Sequence, residues 1–192
     1  MVDDVLGDKF KGMLVSDCLS SYDPCDYAKH KCMAHHLRAI SKAMSLHGTE
    51  DNSCLSNWQQ FFKAVIILYK MRGTLSENEF ADKRHRMESW CNELLGSLSN
   101  QPGDISVKNR LSKQRKYLLG CLCEPAAEPT NNRAERALRP AVIARKVSCG
   151  NKTERGRQCC QILSSIGATC NQRMLDFIDY FSARLPLAAQ AG

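Results

Sequence analysis

The sequence predicts an α/β fold that is mostly helical by residue count. Two observations lead to this prediction. Short apolar segments at residues 11–16 and 28–33 have the length of strands, and the turn formers of residues 20–24 separate them. From about residue 36 onward, apolar residues recur at helical spacing over most of the chain. The strands are therefore expected near the N-terminus and the helices after them.

The first predicted strand ends at an acidic residue. Residues 11–16 are mostly apolar, and Asp17 follows them directly. This pattern is typical of a buried strand that places a carboxylate at its C-terminal end. A plain alternative is that Asp17 only forms a turn, a role that Asp and Ser both favour.

The middle of the chain is predicted to be helical and to form the core. Helices are expected over residues 36–46, 54–71 and about 106–122. Another helix opens with the capping-box pair Ser76 and Glu79 and continues through Leu94. Their aromatic and aliphatic stripes are more typical of a core than of a ligand site, so this block carries no obvious chemistry.

A boundary is predicted at residues 124–130, whose two prolines cannot continue a helix. A helical turn with an Asn cap then begins near Asn132, and Ala137 and Leu138 are expected to face the core. Two closing helices are predicted over residues 154–171 and 174–185. Their apolar faces would consist of Ile162, Leu163, Ile166, Leu175, Ile178, Phe181 and Leu185.

Composition favours a globular protein with a polyanionic partner. The chain has 192 residues, of which 43% are hydrophobic and 24% charged, values that are ordinary for one folded domain. Its net charge is +7. Between residues 133 and 157, basic residues outnumber acidic ones eight to two. Such a concentration of Arg and Lys is compatible with phosphate contacts along a nucleic acid.

The eleven cysteines predict reduced thiols rather than disulfides. The chain opens with an acidic segment, unlike a signal peptide, which indicates a cytoplasmic protein. The longest aliphatic run, residues 65–68, is far too short to cross a membrane. No Cys-x-x-Cys pair is present, so a zinc site would have to use the one Cys/His cluster: Cys25, Cys32, His35 and His36.

Three segments of the sequence resemble motifs of one known family, the transposases of the insertion sequence 66 family. Residues 10–17 look like the strand that bears the second catalytic Asp, here Asp17. Residues 32–38 resemble a Cys-Trp-Ala-His-x-x-Arg motif, with Met33 where Trp is usual. Residues 130–146 resemble the block that holds the third acid, here Glu135. The residues that correspond to the supporting motif are Cys32, His35 and Arg38.

The resemblance implies an RNase H-like fold interrupted by a large α-helical insertion. Residues 1–38 would be the remnant of the core, residues 39–123 the insertion, and residues 124–192 the C-terminal part of the core. In the family, Asp, Asp and Glu bind two Mg²⁺ or Mn²⁺ ions, and such ions about 3.5–4 Å apart assist phosphodiester displacement. By this resemblance, Asp17 and Glu135 are both catalytic residues and metal ligands.

The implied function is DNA-mediated transposition by metal-dependent strand cleavage and transfer. The family's first Asp has no counterpart here, because Asp3, Asp4 and Asp8 lie too close to Asp17 to belong to a separate, earlier strand. We therefore expect an N-terminally truncated chain that is inactive alone. The residues expected to contact DNA are Asn132, Arg136, Arg139, Arg145 and Lys146.

The expected partners are transposon ends and target DNA near the bacterial nucleoid, with association with another copy or with full-length transposase as a further option. No membrane partner is expected. A second hypothesis is a non-catalytic DNA-binding or inhibitory protein derived from a transposase. Under that hypothesis Glu135 forms only a capping box with Asn132, whose spacing fits that motif. A third is a helical protein that the zinc cluster stabilises.

Overall fold

The computed structural model of the chain describes residues 6–7, 10–47, 54–97 and 102–184. They fall into two compact units, Met1–Asn131 and Asn132–Gly192, and each is described by itself. The sequence-based division at residues 38 and 123 stays a prediction. Four residues named by the sequence predictions lie outside the described ranges: Asp3, Asp4, Asp8 and Leu185.

The first unit contains a parallel pair of short strands. Strand β1 spans Met13–Ser16 and strand β2 spans Ala28–Lys31. Ser16 aligns with Lys31, and the backbone N–H of Cys32 donates to the Ser16 carbonyl at 2.8 Å. Both predicted strands are confirmed. Because the strands are parallel, their C-terminal ends lie at one edge of the sheet.

The described residues of the first unit also form five helices between residues 33 and 123, together with 3-10 turns at Ser20–Tyr22, Arg72–Thr74 and Arg115–Tyr117. The helices are α1 Met33–His47, α2 Cys54–Met71, α3 Glu77–Ser97, α4 Pro102–Gln114 and α5 Gly120–Cys123. The predicted capping box is confirmed, since Ser76 Oγ lies 2.7 Å from Glu79 Oε2 and accepts from the Glu79 N–H at 3.4 Å. The predicted helical character of this block is therefore confirmed.

Helix α2 supplies the centre of the core. Its predicted stripe is buried, and the rings of Trp58 and Phe61 meet edge to face at 5.4 Å. Ile40 of α1 and Leu111 of α4 pack into the same cluster. Each fully buried side chain of this size contributes about 1.5–3 kcal/mol relative to exposure. The aromatic stripe thus forms a core, as the sequence predicted.

The predicted helix over residues 106–122 is wrong in its length. Helix α4 ends at Gln114, and a short helix, α5, begins only at Gly120. A Cβ atom at Gly120 would lie 2.8 Å from the Lys29 carbonyl oxygen and 2.9 Å from Met13 Sδ. The absence of a side chain at Gly120 therefore allows the start of α5 to approach β2 this closely.

His30 ties β2 to two distant segments of the chain. Its ring is buried, with Nδ1 at 3.1 Å from the Tyr117 carbonyl oxygen and Nε2 at 3.1 Å from that of Pro129. Burial lowers the pKa of His30, although both carbonyl contacts oppose that shift. The imidazole therefore anchors the segments on either side of α5 to the sheet.

His36 packs in the core between α1 and α2. Its ring stacks on the Phe62 ring, with centroids 5.2 Å apart and planes 5° from parallel. Burial, with smaller contributions from the charge of Arg110 and other neighbours, lowers the pKa of His36 to about 3. The ring is neutral in the folded protein at every pH above that value.

Residues 132–184, the described part of the second unit, form three helices: α6 Asn132–Val147, α7 Glu154–Gln172 and α8 Phe177–Ser182. Side chains cap two of them. Thr153 Oγ1 accepts from the Gly156 N–H at 3.1 Å, and Asp176 Oδ1 accepts from the Asp179 N–H at 2.9 Å. These caps satisfy backbone donors that have no partner within the helix, so they define where α7 and α8 begin.

The prediction that Ala137 and Leu138 face a core is wrong, because both are exposed. The predicted apolar faces of α7 and α8 are also largely open, with Ile162 59% and Ile178 66% exposed. Cys170 is the buried hydrophobic residue among the described positions of this unit. Helical spacing correctly predicts which residues share a face, but it does not determine whether another layer covers that face.

We expect His30→Ala to lower the free energy of unfolding by about 2–4 kcal/mol, because it removes a buried ring and the hydrogen bond that the neutral imidazole donates to one of the two carbonyl groups. Urea denaturation followed by circular dichroism measures this change. His85→Ala is the matched control, since the His85 side chain is 80% exposed. Equal stability of the two variants would show that the His30 contacts contribute nothing.

We expect the stability of the protein to fall as the pH drops from 6.5. In this range His36 binds a proton in the unfolded chain but stays neutral in the folded protein, where it is buried. The contribution of His36 is complete above its ordinary pKa of 6.5 and is lost progressively toward its folded pKa of about 3. The slope approaches about 1.4 kcal/mol per pH unit. Urea midpoints at pH 7.5, 6.0 and 5.0 measure it, and His36→Gln should flatten the decline. An unchanged slope in that variant would contradict the assignment.

Candidate metal and DNA site

Asp17 lies directly after β1, at the edge where both strands end. It is half-buried, and its Oδ1 accepts a hydrogen bond from the Leu19 N–H at 3.1 Å. Asp17 therefore stabilises a turn, as the alternative interpretation of the sequence predicted. The same contact fixes the carboxylate at the end of the strand, where the metal role would also need it.

Cys32 lies beside Asp17 at this edge of the sheet. The Cys32 thiol accepts a hydrogen bond from the Asn131 N–H at 3.3 Å, and the Met33 N–H donates to the Pro129 carbonyl at 3.0 Å. The end of β2 thus holds the segment that leads into α6. The Cys of the motif therefore has a structural role, because its thiol anchors this segment to the end of β2.

His35 and Arg38 of the same motif contact each other on α1. Arg38 Nη2 donates to His35 Nε2 at 2.9 Å, which requires that nitrogen to be unprotonated. The pair is three residues apart on one helix face, so the local geometry alone brings it together. Its predicted role at the rim of a site stays a prediction.

Lys31 is a residue near the site that sequence reasoning missed. Its side chain is fully buried, its Nζ lies 2.8 Å from Asp23 Oδ1, and it donates to the Leu19 carbonyl at 3.0 Å. A buried charge is costly unless it is paired and hydrogen-bonded. These contacts hold the loop after Asp17, but a lysine in a short polar strand gives no sequence signal of burial.

Helix α4 also contributes to this edge of the sheet. Gln114 Nε2 donates to the Cys18 carbonyl at 3.2 Å, and Arg110 hydrogen-bonds with the Cys18 side chain. Cys18 Sγ lies 3.5 Å from His36 Nε2. Burial raises the pKa of the Cys18 thiol, while Arg110 partly opposes the shift. The helical block therefore places the Arg110 guanidinium beside Cys18, the residue that follows Asp17. The apolar periodicity of the block gave no indication of this contact.

Glu135 lies in the first turn of α6, in the second unit. It is half-buried and lines a shallow pocket with Asn132, Arg136 and Arg139. A carboxylate in the first turn is favoured by the helix dipole, and the two arginines add positive charge beside it. Asp17 belongs to the other compact unit, Met1–Asn131.

The residues predicted to contact DNA are all on α6. Asn132, Arg136, Arg139, Arg145 and Lys146 are exposed. Arg145 and Lys146 occupy the last turn, where cations are favoured by the helix dipole. Together these residues give α6 a basic, solvent-accessible surface.

The described residues contain no group of three His, Cys, Asp or Glu side chains that could hold a metal ion. The cluster offered as a zinc site, Cys25, Cys32, His35 and His36, is therefore not assembled there. Within the same part of the chain, no helix is long and apolar enough to cross a membrane.

Comparison with known proteins identifies the family. The family described as "Transposase IS66 family" matches residues 1–159, a span that includes both acids and the three motif segments. No significant match was found among curated proteins or solved structures. A match over this much of the chain shows that the protein belongs to the IS66 family of transposases.

Proposed function

We propose that this chain forms part of an RNase H-like transposase catalytic domain in which Asp17 and Glu135 bind Mg²⁺ or Mn²⁺ for DNA strand cleavage and transfer. The observation that carries the proposal is the position of Asp17. It directly follows a short parallel strand within the region that matches the family. Strand ends of this kind are where acids from different parts of a chain can converge on one ion.

The anchoring of Asn131 supports the inclusion of Glu135. The Cys32 thiol holds the Asn131 backbone at the edge of the sheet that also ends in Asp17. Glu135 follows only four residues further along the chain. The inclusion of Glu135 as a ligand therefore rests on its motif within the family match and on this short separation in the sequence.

The side chains present fit a hard divalent cation. Mg²⁺ prefers carboxylate oxygens and keeps water in the rest of its shell, so two acids suffice to hold it weakly. When bound, such ions activate the attacking oxygen and stabilise the leaving one in phosphodiester displacement. The protein's contribution is to hold both carboxylates in place: the Leu19 N–H does so for Asp17, and the first turn of α6 for Glu135.

The exposed basic residues of α6 would bind the DNA backbone next to these acids. Arg and Lys contacts to phosphates give affinity that does not depend on sequence and that weakens with salt. The family's chemistry uses a third acid, which we do not assign in this chain, and we therefore expect no cleavage by the chain alone. The same basic surface also supports the second candidate, a DNA-binding or inhibitory protein that does not cut.

We expect Asp17→Asn and Glu135→Gln each to weaken Mn²⁺ binding about tenfold, because each removes a charged oxygen ligand. Electron paramagnetic resonance of free Mn²⁺ measures the affinity. Glu154→Gln is the matched control, since Glu154 occupies the first turn of α7 as Glu135 does that of α6. Unchanged Mn²⁺ affinity in the double variant would overturn the proposed site.

We expect the chain to bind duplex DNA in a salt-dependent manner through α6. Replacing both Arg145 and Lys146 by Gln should weaken binding about tenfold and reduce the slope of log K against log salt by about 2. Fluorescence anisotropy at several salt concentrations measures both quantities.

The Asp17→Ala/Glu135→Ala variant separates the two candidate functions. Undiminished DNA binding by it, together with reduced transposition when it is co-expressed with an active transposase, would favour the inhibitory candidate. Equal affinity of the Arg145/Lys146 variant and the wild type would exclude α6 as the binding surface.

A further inference from the structure

We propose that the first unit holds a second DNA contact, a pocket that binds one backbone phosphate through Arg115, Lys116 and Tyr117. The pocket lies between the N-terminal half of the parallel strand pair, helix α3 and the turn that precedes α5. It is separate from the edge that carries Asp17, and none of its residues belongs to the basic segment of α6. The proposal deepens the proposed function, and its partner, DNA, rests on that function.

Two lysines that line this pocket, Lys29 and Lys116, and the neighbouring Lys31 place their ammonium groups around one aromatic ring. The Nζ atoms of Lys29, Lys31 and Lys116 lie 5.2, 6.0 and 4.9 Å from the centroid of the Tyr117 ring. Lys31 is neutralised by its ion pair with Asp23. Lys29 is buried and donates to the Asp23 carbonyl at 2.7 Å, so its charge has only a neutral acceptor. Like charges at this spacing repel one another at physiological ionic strength.

The pKa of the Tyr117 hydroxyl reflects this positive environment. A hydrogen bond with Lys116 lowers the pKa of Tyr117, and the charge of Lys29 adds to this shift, although burial opposes it. The same hydrogen bond raises the pKa of Lys116, which therefore stays charged. Cations that crowd one phenol in this way would be stabilised by an anion at the mouth of the pocket.

Arg115 is oriented before any ligand arrives. Its Nε and Nη2 donate to Asn92 Oδ1 at 3.1 and 2.7 Å. The guanidinium is thereby fixed to helix α3, and a fixed planar donor loses less entropy when it binds a phosphate. Preorganisation of this kind is expected of a binding site and is not needed for an exposed surface arginine.

The charges on the pocket wall favour an anion over a cation. Lys29, Arg115 and Lys116 line it, against the single carboxylate of Glu88, which lies 3.7 Å from His85 Nδ1. Asp26 is a further acid near Lys116 but does not line the pocket. A phosphodiester of DNA is the occupant that we infer, because the family acts on DNA and a shallow, open pocket suits one group of a long polyanion.

The test compares DNA binding by Lys116→Gln, by Arg115→Gln/Lys116→Gln and by the control Lys113→Gln in the full chain. Lys113 is an exposed lysine three residues earlier that does not line the pocket. Anisotropy with a 20-base-pair duplex should show affinity about tenfold weaker in the double variant and a salt slope smaller by about 2, with half that slope change in the single variant. The Lys113 variant should differ in slope by less than either.

Lys116 is exposed at the surface, so its replacement should leave the fold intact, and the urea midpoint verifies this. Two-dimensional NMR with inorganic phosphate is the second arm. Shifts at Tyr117 and Lys116 with unchanged DNA affinity in the variants would make the pocket a site for free phosphate and overturn the DNA contact. No shifts and wild-type DNA affinity would overturn the pocket altogether.

A failure of the pocket proposal can be distinguished from a failure of the proposed function. The α6 variant Arg145→Gln/Lys146→Gln tests DNA binding by the second unit, and the pocket variants test it in the first. If only the α6 variant loses affinity, the pocket is overturned and the proposed function stands. If the wild-type chain binds no duplex, the proposed function fails with its DNA partner, and the phosphate arm alone decides whether an anion pocket exists.

Discussion

The parallel alignment of β1 with β2 is the constraint on which the first unit depends. It sets Ser16 opposite Lys31 and brings Asp17 and Cys32 to one edge of the sheet. Two parallel strands need a connection that returns to the end of the sheet where the first strand began. Here the connection between β1 and β2 has eleven residues, and it is compact because it includes a 3-10 turn. The contacts described for the site depend on this alignment, including the hydrogen bond that the Asn131 N–H donates to the Cys32 thiol.

The second strand buries three polar side chains in succession, Lys29, His30 and Lys31. Strands of this length usually bury alternating apolar residues, and buried polar groups are costly unless each has a partner. The partners here are mainly backbone carbonyls of loops: those of Asp23, Leu19, Tyr117 and Pro129. The strand thereby specifies the loop conformations around the site, because a displaced loop would leave a buried cation or imidazole without its acceptor.

The two units differ in what holds them together. The first has an aromatic core centred on Trp58, Phe61 and Phe62, whose rings contact one another within the buried cluster. In the second, the described large apolar residues are mostly exposed, and capping hydrogen bonds define where two of the helices begin. Basic residues are concentrated on α6 of that unit, so the division also separates a packed scaffold from a charged surface that suits a polyanion.

The sequence by itself determined the two strands, the helical block, the capping box of Ser76 and Glu79, and the family, because these depend on local periodicity and short motifs. Only the tertiary structure decided that Lys31 and His30 are buried, that the helix predicted over residues 106–122 ends at Gln114, and that Leu138 faces solvent. Burial depends on which segments pack together across long separations in the chain, and no local pattern encodes the partner. For the same reason Asp17 could be placed at a strand end from the sequence, whereas the contacts of Cys32 and Arg110 around it could not.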